Sequence, residues 1–170
     1  EYSPLGIFVH EFGHNLGLPD LYDTVTGNTV VGSWCLMDYG TWNDNGNTPS
    51  HPCAWCKLYL GWLESVIDPK IENGIWQIEM NSEYSLYKFP LKNSSTQEYF
   101  LLENRQKVGY DRALPGDGLL IWHIDDSIGN IQETEEGEGN DINAIPKYGH
   151  PRVDLEQADE KDGVFYVENY

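Results

Sequence analysis

The sequence predicts an α+β protein, with a helical front over residues 1–67 and a β-rich continuation with acidic loops over residues 68–170. Three observations predict it. Apolar residues recur at helical spacing over SPLGIFVHEFGHNLG and again over SHPCAWCKLYLGWL. After Asp68 they fall into short runs separated by Asn, Ser, Gly and Pro clusters. With 39% hydrophobic and 13% aromatic residues in a chain of 170, the composition is that of a protein that buries a core.

In the first helix Ser3 is suited to cap the start, Pro4 to occupy the first helical position, and Gly17 to stop it. From Leu18 to Thr48 the abundance of Gly, Asn, Asp and Thr predicts irregular loop, a length that in compact domains is often functional. A second helix is expected over Ser50 to Leu63, with Ala54, Leu58 and Trp62 on one face and Gly61 near its end, packing under the site described below. The runs IWQIEM, YSLYKFPL, EYFLLENR and GLLIWHID read as strands. Asp126 to Asp162, with ETEEGEGND at its centre, reads as a large exposed loop region that closes on the strand-like GVFYVENY.

Twenty-eight acidic against ten basic residues leave a net charge of -18, which argues against a surface that neutralises phosphates and so against nucleic acid as a partner. No run approaches the roughly twenty apolar residues that span a bilayer, so no membrane span is expected. The chain begins at Glu1 without a signal-peptide pattern, as a processed or truncated product would. Three cysteines cannot all pair internally. Cys53 and Cys56 have CxxC spacing, but no second such pair completes a zinc site and no strand precedes them, so they read as packing or a disulfide.

The chemistry is concentrated in HEFGH. On a helix, His10 and His14 project from one face at the separation that grips a single metal ion. Glu11 beside them is suited to take a proton from a zinc-bound water. The motif continues as HEFGHNLGLPD, so Gly17 can turn the chain and Asp20 can return as a third ligand, leaving a fourth position for water. Asp23 is the alternative third ligand, with poorer spacing.

HExxHxxGxxD followed by a methionine in SWCLMDYG resembles the metzincin clan of zinc peptidases. Asp as third ligand, with LPDLYD and GSWCLMDYGTWN behind it, resembles the immune inhibitor A family of secreted bacterial peptidases. TPSHPCAWCKLYLGWL and LLENRQKVGYDRALPGDGLLIWHID are similar to that family's later helix and β-rich continuation. The resemblance implies a metzincin-like lower catalytic subdomain, made of active-site helix, Met-turn and C-terminal helix. It implies Met37 as an apolar floor under the histidines and Tyr39 as a donor to the oxyanion of the tetrahedral intermediate. It also implies a Zn2+ cofactor, protein or peptide substrates, a pro-segment and an extracellular site of action. The clan's upper subdomain precedes the metal helix and is missing from this sequence, so the missing N-terminal part of the same peptidase is an expected partner. The rival readings are a zinc-binding but inactive fragment of a larger or nicked peptidase, and a β-rich binding module using its Trp and Tyr residues.

Other candidates read as structural. His123 in IWHID lies on a strand face with Ile121 and Asp125, while Trp122 and Ile124 point the other way; His51 and His150 carry less signal. Asp125, Asp126, Asp154, Glu156, Asp159 and Asp162 offer oxygen donors that would suit Ca2+, though none matches an EF-hand and a solvated acidic surface is the commoner meaning of such runs.

Overall fold

In the computed structural model a helix, α1, runs from Leu5 to Asn15. The described residues are 3–63, 65–67, 70–72, 75–77, 85–90, 97–128, 142–143 and 150–156, so ETEEGEGND, GVFYVENY, Asp159 and Asp162 lie outside them. Pro4 is the cap residue of α1, in extended conformation, and no side chain caps the helix. This corrects the expected start by one position: the Pro4 carbonyl accepts from the Ile7 N–H at 3.2 Å, so Ser3 has no capping role. The other end matches expectation. Gly17 has φ +96, its N–H donates to His14 O at 2.9 Å and that of Leu18 to Gly13 O at 3.1 Å, a turn that satisfies the last carbonyls and reverses the chain.

The following loop is mainly irregular, with 3-10 turns at Gly32–Trp34 and Tyr39–Gly46. The second helix, α2, covers only Ala54–Tyr59. Pro52 holds the residue before it out of helical conformation, and Gly61 at φ +67 turns the chain away. Trp62, expected on the buried face, therefore lies beyond the helix and is 54% exposed.

The strands are β1 (Ser65–Ile67), β2 (Lys70–Glu72), β3 (Ile75–Gln77), β4 (Ser85–Pro90), β5 (Glu98–Arg105), β6 (Gly118–Asp125) and β7 (Val153–Leu155). Five form one sheet in the order β1-β4-β5-β6-β7, antiparallel except for the β1–β4 pair, while β2 and β3 form a separate hairpin. The mixture of helix and mainly antiparallel sheet is the expected α+β class. β7 lies within the segment expected to be loop: Val153 and Leu155 are buried on either side of Asp154, but so short a run does not stand out in an acidic stretch.

On β6 the alternation is as read: Trp122 and Ile124 are fully buried while Ile121 is exposed. Asp125 shares the outer face yet is buried, because its carboxylate folds back to accept from Ser127 N–H and Oγ–H. The inner face of the sheet joins α2 and the loop in one core that includes Leu21, Val31, Met37, Trp55, Leu101, Trp122 and Val153. Buried polar groups lie at the same seam. Glu103 pairs with Lys57 and accepts from Trp122 Nε1 at 3.2 Å. Arg105 grips Asp111 through two bonds, at 2.9 and 2.7 Å, and donates to Trp34 O at 3.0 Å.

Candidate metal centre

The helical period brings His10 and His14 to one face of α1, with ring centroids 4.8 Å apart and planes nearly perpendicular. Each ring is fixed from behind. His10 Nδ1 is 2.9 Å from Leu36 O and His14 Nδ1 is 2.8 Å from Leu18 O. A carbonyl only accepts, so each Nδ1 carries a proton, and each Nε2 is the atom that takes either a second proton or a metal ion. The two Nε2 atoms are 3.1 Å apart, and Asp20 Oδ1 is 3.1 Å from that of His10 and 3.3 Å from that of His14. Donors bound to one tetrahedral zinc at 2.0–2.1 Å would be about 3.3 Å apart, so these three fit that ion.

Asp20 arrives by the Gly17 turn, and the chain just beyond it is held on both sides. Leu21 N–H donates to Met37 O at 2.8 Å, and the Leu21 carbonyl accepts from Asn143 Nδ2 at 2.8 Å. Asn143, wholly buried, also donates to Val153 O and accepts from Val153 N–H, which ties the loop to β7. Asp23 is occupied elsewhere: its carboxylate accepts from the N–H groups of Val25 and Thr26 and from the Thr26 hydroxyl.

Met37 is fully buried directly behind α1, and a Cβ added to Gly13 would lie 2.6 Å from its sulfur. Asp38 organises the turn that carries it. Its Oδ2 accepts from the N–H groups of Val30, Val31 and Gly32, and its Oδ1 from that of Tyr39. Burial pushes the Asp38 carboxyl up against the pull of these donors.

Burial also disfavours a charged Asp20, but bonds from His10 and His14 outweigh it and hold the carboxyl down at about 2. The histidines respond in the opposite sense. Burial lowers His10, yet Asp20 and Leu36 O raise it overall, and for His14 the Asp20 bond is the largest effect and raises it. A metal must therefore compete with protons for Nε2, and the competition sharpens as pH falls.

The centre opens into a cleft of about 380 Å³ whose lining includes His10, Glu11, Tyr22, Thr29, Tyr39 and Trp42. Glu11 is exposed on α1 beside the histidines, and Tyr39 is 55% exposed. Tyr22 was not singled out from the sequence. Its pKa is raised by burial and by Asp20, with which its hydroxyl interacts. Its only sequence signal is its position two residues after Asp20.

The remaining candidates lie elsewhere. His123 sits 3.8 Å from Glu156, His150 is 3.6 Å from Asp125, and the His51 N–H donates to Asp111. Asp126 pairs with Arg152, and Asp154 accepts from Leu155 N–H. Among the described residues these carboxylates do not gather into a three-donor set; the sets that do are His10, His14 and Asp20, and Cys35, Cys53 and Cys56. The three cysteines are free and buried.

Residues 1–63 match the family model described as immune inhibitor A peptidase M6, catalytic domain. The chain is 41% identical over 59 residues to the pre-pro-metalloprotease PrtV of Vibrio cholerae serotype O1, a stretch covering 32% of this chain and 6% of that one. It is 44% identical over 54 residues to immune inhibitor A of Bacillus thuringiensis subsp. alesti, covering 29% of this chain and 8% of that one. No solved structure matches the chain. The family resemblance read from the motif is thus borne out over residues 1–63, and it supports a metallopeptidase.

Proposed function

We infer that this chain, whose residues 1–63 carry the signature of an immune inhibitor A peptidase catalytic domain, holds the metal-binding half of a zinc-dependent endopeptidase. The single observation that carries this is the convergence of two histidine Nε2 atoms and one carboxylate oxygen, with both Nδ1 atoms held by backbone carbonyls. His10, His14 and Asp20 are the ligands, on a metzincin-like lower subdomain with Met37 as its floor. Bound there, zinc supplies Lewis acidity and makes water acidic enough to ionise near neutral pH. Glu11 takes the proton of the attacking water and delivers it to the leaving amine. Tyr39 donates its hydroxyl to the developing oxyanion, and the cleft beside α1 receives the peptide. The substrates are proteins outside the cell, and the chain acts as a secreted product.

A second reading is a zinc-binding chain that cuts only when joined to the rest of its peptidase. One feature favours it: Leu5, Phe8, Phe12 and Leu16 form an exposed apolar stripe along α1, between 38% and 63% exposed, as a surface covered by another segment would be. Zinc content and casein cleavage, measured on the chain and on His10→Ala and Glu11→Ala, separate the readings. The peptidase reading expects His10→Ala to lose the zinc held at the His10 centre together with cleavage, and Glu11→Ala to keep that zinc and lose cleavage. Zinc that is lost in His10→Ala, without cleavage in the unsubstituted chain, would favour the second reading, and unchanged zinc content in His10→Ala would overturn both.

A further inference from the structure

Cys35, Cys53 and Cys56 take no part in the chemistry above. They come from two places, the loop just before Met37 and the start of α2, and all three are 0% exposed. Cys56 Sγ lies 3.8 Å from Cys35 Sγ and 3.7 Å from Cys53 Sγ, and all three sulfurs are within 4.8 Å of one another. The Cys53 N–H donates to Cys35 Sγ at 3.2 Å. Two sulfurs bound to one tetrahedral zinc at about 2.3 Å would be about 3.8 Å apart, close to the two separations observed.

We propose that Cys35, Cys53 and Cys56 form a second metal site, which takes a thiophilic closed-shell cation, zinc(II) or copper(I). CxxC supplies two sulfurs from one short segment, and Cys35 supplies the third from a segment eighteen positions earlier. Without the structure that third partner is invisible, which is why the pair alone reads as packing. The donor type selects the ion: thiolates favour zinc and cuprous copper over calcium or magnesium. Each ligating thiol gives its proton to solvent on binding. A bound ion joins the Met37 loop to α2 from inside the core and restrains the floor of the first centre. A disulfide would join only two of the sulfurs and leave the third out.

The test uses the full chain, prepared without oxygen, in the His10→Ala/His14→Ala variant, which removes the first centre. It is titrated separately with cobalt(II), as the optical stand-in for zinc, and with copper(I) against a chromophoric chelator. One equivalent of cobalt with thiolate charge-transfer absorption, displaced by zinc, assigns a zinc-type site; tight retention of one copper(I) with no cobalt signal assigns a cuprous one. Either signal is expected to vanish in Cys35→Ser and in Cys53→Ser. As a second readout, alkylation of the three cysteines in the same His10→Ala/His14→Ala chain under mild denaturant is expected to slow about tenfold when the preferred ion is added. Alkylation rates unchanged by either ion, or a Cys53–Cys56 or Cys35–Cys56 disulfide found by mass spectrometry in the oxygen-free chain, would overturn the proposal.

Discussion

The helical front and the sheet behind it contribute different things to the same site. In the front, the donors lie close in sequence: His14 and His10 are four positions apart, and Asp20 is ten from His10. Their geometry comes from one helix turn, one reversal at Gly17 and a mostly irregular loop. The sheet carries no donor to that centre, yet it holds the loop in place through Asn143 on Leu21 and through Arg105 on Trp34. Irregular backbone becomes a rigid scaffold when its carbonyls are engaged by buried side chains anchored in regular structure. Reactive geometry belongs to the front, and its rigidity to the back.

The hardest way to break this division is Arg105→Ala. It leaves Asp111 without its buried cation and frees Trp34, two residues from the carbonyl that orients His10. A loss of about 3–5 kcal/mol is expected in denaturant unfolding. A loss no larger than that of a surface substitution would mean that the sheet does not hold the loop. Gly13→Ala attacks the front alone by driving a methyl into the Met37 sulfur, at an expected cost of about 1–3 kcal/mol. Combining it with Met37→Ala should recover part of that cost relative to the two single variants, and strict additivity would show that the two residues do not press on each other.

Asn143→Ala sharpens the comparison because it touches no donor. Leu21 O loses its buried partner, and zinc affinity at the His10 centre is expected to fall about tenfold in a chelator competition. Affinity equal to that of the unsubstituted chain would leave the site independent of β7. The smallest effect concerns pH. Burial raises Asp111, but Arg105 prevails and holds it below its ordinary value of 3.8. Its contribution to stability is therefore fully present above that value and is lost as pH falls through the lower folded one. In Arg105→Met the acid limb of the unfolding curve should flatten, and an unchanged limb would assign acid sensitivity to other carboxylates.

Much of the front could be read from residue types, because its geometry depends on side chains at fixed local spacing. His10, His14, Gly17 and Asp20 announce themselves in that way. The acceptors that aim the two imidazoles could not be read, since Leu36 and Leu18 contribute carbonyls that every residue has. The second helix came out shorter than its apolar pattern because Pro52 and Gly61 set its limits. β4, β5 and β6 follow their apolar runs, but β1 lies in the stretch expected to be the helical front, β7 is three residues inside an acidic stretch, and nothing in Asn143 or Arg105 signals partners so far away. Tyr22 and Cys35 share that limit, since each gains meaning only from what the fold brings beside it.

The bond from Asn143 to Leu21 spans 122 positions. A chain is made from its amino end, so the helix carrying the histidines leaves the ribosome well before the residue that locks its neighbouring loop. Contacts this distant close slowly, because the intervening chain must first give up its freedom. The three-donor cluster of His10, His14 and Asp20 is therefore locked only after Asn143 has been made, long after its own residues.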